Sequence, residues 1–484
     1  MEMDAAVVNT DTIDLAELLS TCIDACRRGC EVIRNVRHKS IHGTTDILDS
    51  VLYKIADDPR SALTEADGAS QKVIIECLTR CWEAHIKAGR IKIVGEEEDE
   101  HSTDLECDNS FDTAYSEDIM SHFDNYNCPR PDLEPIQRDM FLALSSSLAS
   151  ESSGGKDPPE DINNTIEENT ASSSNATGQL HDEIIIFIDP MDGTREFVEG
   201  RIQNVQCLIG ITINGVPVAG AMGMPMVHDR QIEIAYGLIS PPQKQKNSNE
   251  ESEESSSVVA TPVPVLSGVK FFESINPLDI LPVSRTITTT AEDNDDDGAL
   301  MIFSGDSMKP ALNIAMDCLE NRILLRGTEK SEGDEGHGGV NMHPPTRKIV
   351  AGGCGHKILS LQRHVQSLIS RHARDAEEYT TVGAISIGPP GSSSWDTAAP
   401  TAVLLAVDPN ARVTDLLGQP LIYDGENLSN KLGVVVSSGY VATRIHDALC
   451  RILSQEEALH EVLGMRITKS DDEPQSISLE LDNL

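Results

Sequence analysis

The chain has 484 residues, 39% of them hydrophobic but only 4% aromatic, and a formal net charge of −41. That charge argues against coating DNA or RNA, which takes basic stripes, but leaves phosphate substrates open, because bound cations invert the local sign. No run of about 18 apolar residues occurs, so a transmembrane helix is not expected. The acidic N-terminus has neither a signal peptide's basic n-region nor the Arg-rich character of a transit peptide. Eleven cysteines without a CxxC pair read as free thiols in a reducing compartment, which makes the cytoplasm the expected location.

In chain order, residues 13–36 carry apolar side chains at helix spacing, with Asp11 or Thr12 as cap. A turn at Asp58-Pro59 precedes a second helix, Thr64 to His85. IKIVG (91–95), EIIIFID (183–189) and CLIGITING (207–215) read as strands. The last ends in Asn214-Gly215 before VPVAGAMGM (216–224), a hairpin signature. KIVAGG (348–353) and AISIG (384–388) are strands flanking the helix HKILSLQRHVQSLI (356–369). A helix from Asp396 to Val407 and the strand LGVVVSSG (432–439) follow.

From Glu96 to Glu183 there are 23 acidic residues and only three basic ones, Arg130, Arg138 and Lys156. Ser, Asn and Gly fill much of the remainder, a composition that buries too little apolar surface to offset ordering entropy. Acidic, disordered insertions are therefore expected at about 101–181, 241–257 and 327–345, with a shorter acidic run at 291–298. Roughly 350 residues remain, enough for one large or two medium domains. The expected organisation is α/β. An α+β half over 1–285 has helices on an antiparallel sheet, and an α/β half over 300–484 alternates strand and helix.

The sharpest local feature is Asp189-Pro190-Met191-Asp192-Gly193-Thr194, directly after an apolar strand. Proline and glycine bend the chain so that Asp192 swings back toward Asp189. Two adjacent carboxylates repel and call for a cation; oxygen ligands of this kind suit Mg²⁺. Read alone, the segment is equally an ordinary Asp-rich turn. Glu96 and Glu97 end the strand IKIVG and offer further carboxylates, or a solvated charge cluster. Asp396 follows Trp395 at a helix start, where, read alone, it is first of all an N-cap.

Taken together, GEE (95–97), DPMDGTREFVEG (189–200) and WDTAAP (395–400) resemble the lithium-sensitive, magnesium-dependent phosphomonoesterase family that includes inositol monophosphatase. The resemblance runs from about Leu15 to Gly439 with the insertions set aside. It implies a layered α-β-α-β-α sugar-phosphatase fold with the active site between the halves. It also implies two or three Mg²⁺ ions: one on Glu96, Asp189 and the Met191 carbonyl, one on Asp189, Asp192 and Asp396, and a third assisted by Glu97 through water. Inhibition by Li⁺ follows from the same resemblance. Thr194 is then expected to orient or deprotonate the attacking water.

Within the family, TREFVEG, NGVPVAGAMGMP and AGGCGHKILSL look like the nucleotidase branch. That branch implies hydrolysis of the 3′-phosphate of adenosine 3′,5′-bisphosphate to AMP, with the sulfated 3′-phosphoadenosine 5′-phosphosulfate as a further substrate. Inositol polyphosphate 1-phosphatase or inositol monophosphatase activity is the first alternative. An inactive nucleotide-binding sensor or scaffold is the second. Gly193, Ser304, Ser307, Gly353 and Lys357 are the expected substrate contacts, although Lys357 also fits a surface position. Gly352 and Gly353 suit a helix N-terminus whose N–H groups meet phosphate.

Where many relatives carry an Asp three residues before the T-x-A-D motif, this chain has Ser61. Asp58 or a metal-bound hydroxide is the expected base in its place, with Asp67 as the alternative. The expected partner is a small phosphorylated nucleotide, with no nucleic acid polymer and no membrane. Protein partners of the acidic insertions are left open.

Overall fold

The computed structural model describes residues 13–41, 51–53, 62–97, 183–228, 231–239, 264–273, 300–304, 309–324, 346–372, 383–467 and 479–481. The acidic insertions, together with Asp58, Ser61 and Ser307, lie outside the described residues.

Two long helices open the chain. Helix α1 (Leu15–Ile41) carries the expected apolar stripe. Helix α2 (Glu65–Lys87) starts at the N-cap Thr64, whose backbone N–H donates 2.7 Å to Asp67 Oδ2 in a capping box. Both pack on one face of a six-stranded sheet. Its strands are β1 (Ile91–Gly95), β2 (Ile184–Asp192), β3 (Gln206–Ile213), β4 (Val216–His228), β5 (Gln231–Ile239) and β6 (Pro264–Glu273). They lie side by side in chain order. The first pair is parallel and the rest antiparallel. Strands β3 and β4 form the expected hairpin. Asn214 (φ 50°) and Gly215 (φ 77°) both take the left-handed conformation that a two-residue turn requires.

A second sheet has five strands: β7 (Leu300–Ser304), β8 (Thr346–Val350), β9 (Gly383–Gly388), β10 (Arg412–Thr414) and β11 (Val434–Ser438). Their order is β8-β7-β9-β11-β10, parallel across β8, β7 and β9 and antiparallel beyond. The helices of this part are α4 (Pro310–Asp317), α5 (Cys354–His372), α6 (Ser394–Val407), α7 (Tyr440–Leu453) and α8 (Glu457–Val462). Helix α3 (Thr194–Val198) is a short turn after β2.

Residue alternation along the strands builds the layers. Ile186 and Ile188 pack with Leu18, Leu19, Ile23, Ile74 and Leu78 of α1 and α2. Their neighbours Ile185 and Phe187 face the other way, onto Ala398 of α6 and Tyr423. Leu359 of α5 joins Ala399 and Val403 of α6 on that face. The far side of α5 packs Ile358, Leu361 and Val365 on Phe303, Ala384 and Val436 of the second sheet. Leu312 of α4 and Ile445, Leu449 and Leu453 of α7 cover that sheet's outer face. The order is α-β-α-β-α, as the resemblance implies.

Helix α6 lies unusually close to the first sheet. Gly210, Gly220 and Gly237 pair across β3, β4 and β5 and form one row beneath it. A Cβ at Gly220 would sit 2.7 Å from Ala399 O, and one at Gly237 would sit 2.6 Å from Ala406 Cβ. The row of glycines lets the helix backbone rest on the sheet, and this fixes where the N-terminus of α6 carries Asp396. No described helix is long and apolar enough to cross a membrane.

Candidate metal centre

The centre starts from an irregularity in β2. Asp189 pairs with Leu208 but Asp192 pairs with Gln206, so β2 holds one extra residue there. Residues three apart on a regular strand point to opposite faces; the bulge turns Asp192 to the side of Asp189. Met191 N–H donates 3.0 Å to Asp189 Oδ1 and tightens the turn. Glu96 follows the parallel strand β1, with its N–H on Ile188 O at 3.0 Å. Its carboxylate thereby reaches Asp189, where its charge is felt. Asp396 arrives on α6. The N-cap of that helix is Ser393, not Asp396 itself. Asp396 sits at the third helical position and accepts the Ser393 N–H through Oδ2 at 2.5 Å.

Carboxylate oxygens of Asp189, Asp192 and Asp396 all lie within 4.8 Å of one another. Burial and then the charges of Glu96, Asp192 and Asp396 push Asp189 well above the usual carboxylate range. Burial brings Asp192 up to about 6, although the N–H groups of Cys354 and Gly355 pull it down. Asp396 rises to about 7 through burial and then the charges of Asp192 and Glu96. Two like charges about 4 Å apart repel by roughly 4 kcal/mol at an effective dielectric of 20. One hydrogen bond such as the one from Ser393 returns about 1 kcal/mol. The cluster therefore stays ionised only beside a cation, and an all-oxygen donor set suits a hard divalent ion.

Beside the carboxylates sits a hydroxyl. Thr194 Oγ1 lies 2.8 Å from Asp67 Oδ1 and 3.2 Å from Met191 O. Its single proton goes to the closer, charged acceptor. Asp67 is fully buried, and its other oxygen accepts from Thr64 N and Oγ1, both at 2.7 Å. Burial and the charges of Glu97 and Glu96 push Asp67 up to about 7 against those hydrogen bonds.

The other expected residues divide. Glu97 donates its N–H to Gln71 Oε1 at 3.1 Å and acts on Asp67 by charge. Gly193, at φ 91°, is the left-handed N-cap of α3. Gly353, at φ 72°, turns the chain into α5. The next two N–H groups, of Cys354 and Gly355, donate to Asp192 at 3.0 and 2.7 Å. Two N–H groups of this helix N-terminus are thus taken by a carboxylate. Lys357 is buried, not a surface residue, and its charge reaches Asp192. Ser304 ends β7, and its carbonyl accepts from Ala351 N. Ser307 and Asp58 lie outside the described residues, and the hydroxyl partner among those described is Asp67.

One neighbouring network was not foreseen. Glu196 is buried and accepts from Arg201 Nε at 2.6 Å and Asn204 Nδ2 at 3.0 Å. It packs against Gly352, where a side chain would collide with its carboxylate.

Residues 159–265 match the model of the inositol monophosphatase family. The chain is similar to a protein of Dictyostelium discoideum named 3′(2′),5′-bisphosphate nucleotidase 1. The two are 25% identical over 429 residues, 88% of this chain and 94% of that one. A protein of the same name from Rattus norvegicus is 23% identical over 272 residues, 55% of this chain and 63% of the relative. A solved inositol monophosphatase from Staphylococcus aureus MSSA476 matches with a TM-score of 0.41 at 13% identity, covering 90% of this chain and 95% of that one.

Proposed function

We propose that this chain, which resembles the 3′(2′),5′-bisphosphate nucleotidases and matches the inositol monophosphatase family, is a phosphomonoesterase acting on bisphosphate nucleotides. Its reaction is hydrolysis of the 3′-phosphate of adenosine 3′,5′-bisphosphate to AMP and phosphate, dependent on Mg²⁺. The observation that carries the reading is the buried cluster of Asp189, Asp192 and Asp396 with its oxygens within 4.8 Å. The named activity of the relatives supports the nucleotide substrate. The 3′-phosphoadenosine 5′-phosphosulfate side activity, inhibition by Li⁺ and a cytoplasmic location belong to the same reading.

The raised carboxyl groups are the test of fit, and a divalent cation suits them. Glu96, Asp189, the Met191 carbonyl, Asp192 and Asp396 would hold such ions, with Glu97 at one remove. Bound Mg²⁺ would neutralise phosphate charge and make water more acidic.

The chain's own groups supply the rest. Thr194 donates to Asp67, so its oxygen lone pairs are left to accept a proton from water. The water oxygen attacks phosphorus in line and the bond to the sugar 3′-oxygen breaks. As the water loses its proton, the Thr194 hydroxyl relays it to Asp67. The leaving oxygen is protonated from solvent. Lys357, buried beside Asp192, contributes positive charge on the substrate side.

Replacing Asp189 with Asn tests the reading. The account expects loss of phosphate release, with an unchanged circular dichroism spectrum. Phosphate release at the wild-type rate would contradict the assignment.

A further inference from the structure

Gln206 stands out among the polar residues that the proposed reaction does not use. It lies directly opposite Asp192 across the β2–β3 pair. It is fully buried, and neither Oε1 nor Nε2 has a hydrogen-bond partner. Buried polar groups are nearly always paired, so an orphaned amide calls for an explanation.

Its surroundings supply one. Gln206 Oε1 fills the space that a Cβ at Gly355 would need, and Asp192 Oδ2 lies 3.1 Å from that same point. Gly355 itself donates its N–H to Asp192 Oδ2. The bare glycine makes room for the amide and the carboxylate together. A carboxamide has nearly the same shape either way round. One orientation sets two acceptors near each other; the other turns an N–H donor toward Asp192. Asp192 has to serve two masters, the first N–H groups of α5 and a cation. When a cation draws on the carboxylate, the bond from Gly355 weakens and a second donor is useful.

We propose that Gln206 is a positioning residue of the cation centre: its carboxamide donates to Asp192 in the cation-bound state and holds that carboxylate in its ligating pose. Gln206 acts through Asp192 and touches neither phosphate nor water. The inference rests on the metal-centre reading above. It also explains the residue type. A Glu there would add charge to an already repulsive cluster, and a Leu would give no donor.

Direct Mn²⁺ binding, followed by the electron paramagnetic resonance signal of free Mn²⁺, tests this in the full chain. Wild type, Gln206→Met, Gln206→Asn and Asp396→Asn are compared, with melting in chelator recorded for each. Gln206→Met keeps the volume and removes the orphan amide, so its Tm in chelator is expected to equal or exceed wild type. Its Mn²⁺ dissociation constant is expected to rise about 10–100-fold, the usual cost of losing a group that orients a ligand. Gln206→Asn withdraws the amide by one methylene and is expected to weaken binding likewise; it carries the test if the Met variant does not fold. Wild-type affinity in either folded variant, with binding lost in Asp396→Asn, overturns this inference alone. A wild-type protein that binds no Mn²⁺ overturns both this inference and the metal centre beneath it.

Discussion

Thr194 Oγ1 lies 2.8 Å from Asp67 Oδ1, a bond across 127 residues of sequence that ties α3 to the first turn of α2. Because Asp67 also caps α2 through its second oxygen, it is held in one orientation. A proton acceptor fixed in this way, with its acidity set near neutrality, matches the needs of general-base work.

The first prediction concerns that pair. Asp67→Asn keeps the shape and removes the acceptor charge. Phosphate release is expected to fall about 10²–10⁴-fold, with Mn²⁺ binding retained. Thr194→Val is expected to lose activity similarly. Steady-state kinetics beside a binding titration separate the two effects. An Asp67→Asn protein at wild-type rate would return the base role to Asp58.

A second prediction follows from the raised carboxyl groups. Asp192 at about 6 and Asp396 at about 7 stand above their unfolded values of about 3.9. Between those values the folded chain binds more protons than the unfolded one, so stability falls as pH rises. The stabilising contribution is complete below about pH 4 and is lost as pH passes through 6 to 7. Mg²⁺ replaces the protons once they leave. The rise in Tm on adding Mg²⁺ to chelator-treated protein is therefore expected to be larger at pH 8 than at pH 5. Differential scanning fluorimetry reads it; equal rises at both pH values would contradict the cluster's role.

The third concerns the bed of α6. Gly220→Val places atoms where Ala399 O already lies 2.7 Å from a Cβ. Backbone cannot give way as a flexible side chain does, so a loss of about 1–3 kcal/mol is expected. Because α6 carries Asp396, Mn²⁺ affinity should fall together with stability in urea titrations. Lost stability with unchanged affinity would uncouple the helix bed from the centre.

Much of this arrangement was legible in the residues. The Asp-Pro-Met-Asp-Gly-Thr turn, the Asn214-Gly215 hairpin and the start of α6 are local events, set by proline, glycine and capping chemistry. Strand β5 was missed because Glu233 interrupts its apolar run; in the fold that carboxylate pairs with Arg363 of α5. Strand β6 is an edge strand with Val269 and Phe271 exposed, so burial left only a weak alternating pattern. Helix α7 did carry a readable signal: Val441, Ala442, Ile445, Leu449 and Leu453 recur at helix spacing and are all buried. Asp67 belongs to the capping box of α2. Its second engagement, with Thr194, depends on how α2 lies against β2, and local spacing does not encode that. Gln206 meets Asp192 only because β2 bulges, a register event invisible along one strand.

The most direct test of the central claim is phosphate release by the purified chain with Mg²⁺. Adenosine 3′,5′-bisphosphate, inositol 1,4-bisphosphate, inositol 1-phosphate and fructose 1,6-bisphosphate would be compared, each with and without Li⁺. The account predicts preferred turnover of the nucleotide, loss of that turnover in Li⁺, and none without a divalent cation. Preferred turnover of an inositol phosphate, or no turnover by demonstrably folded protein, would contradict it.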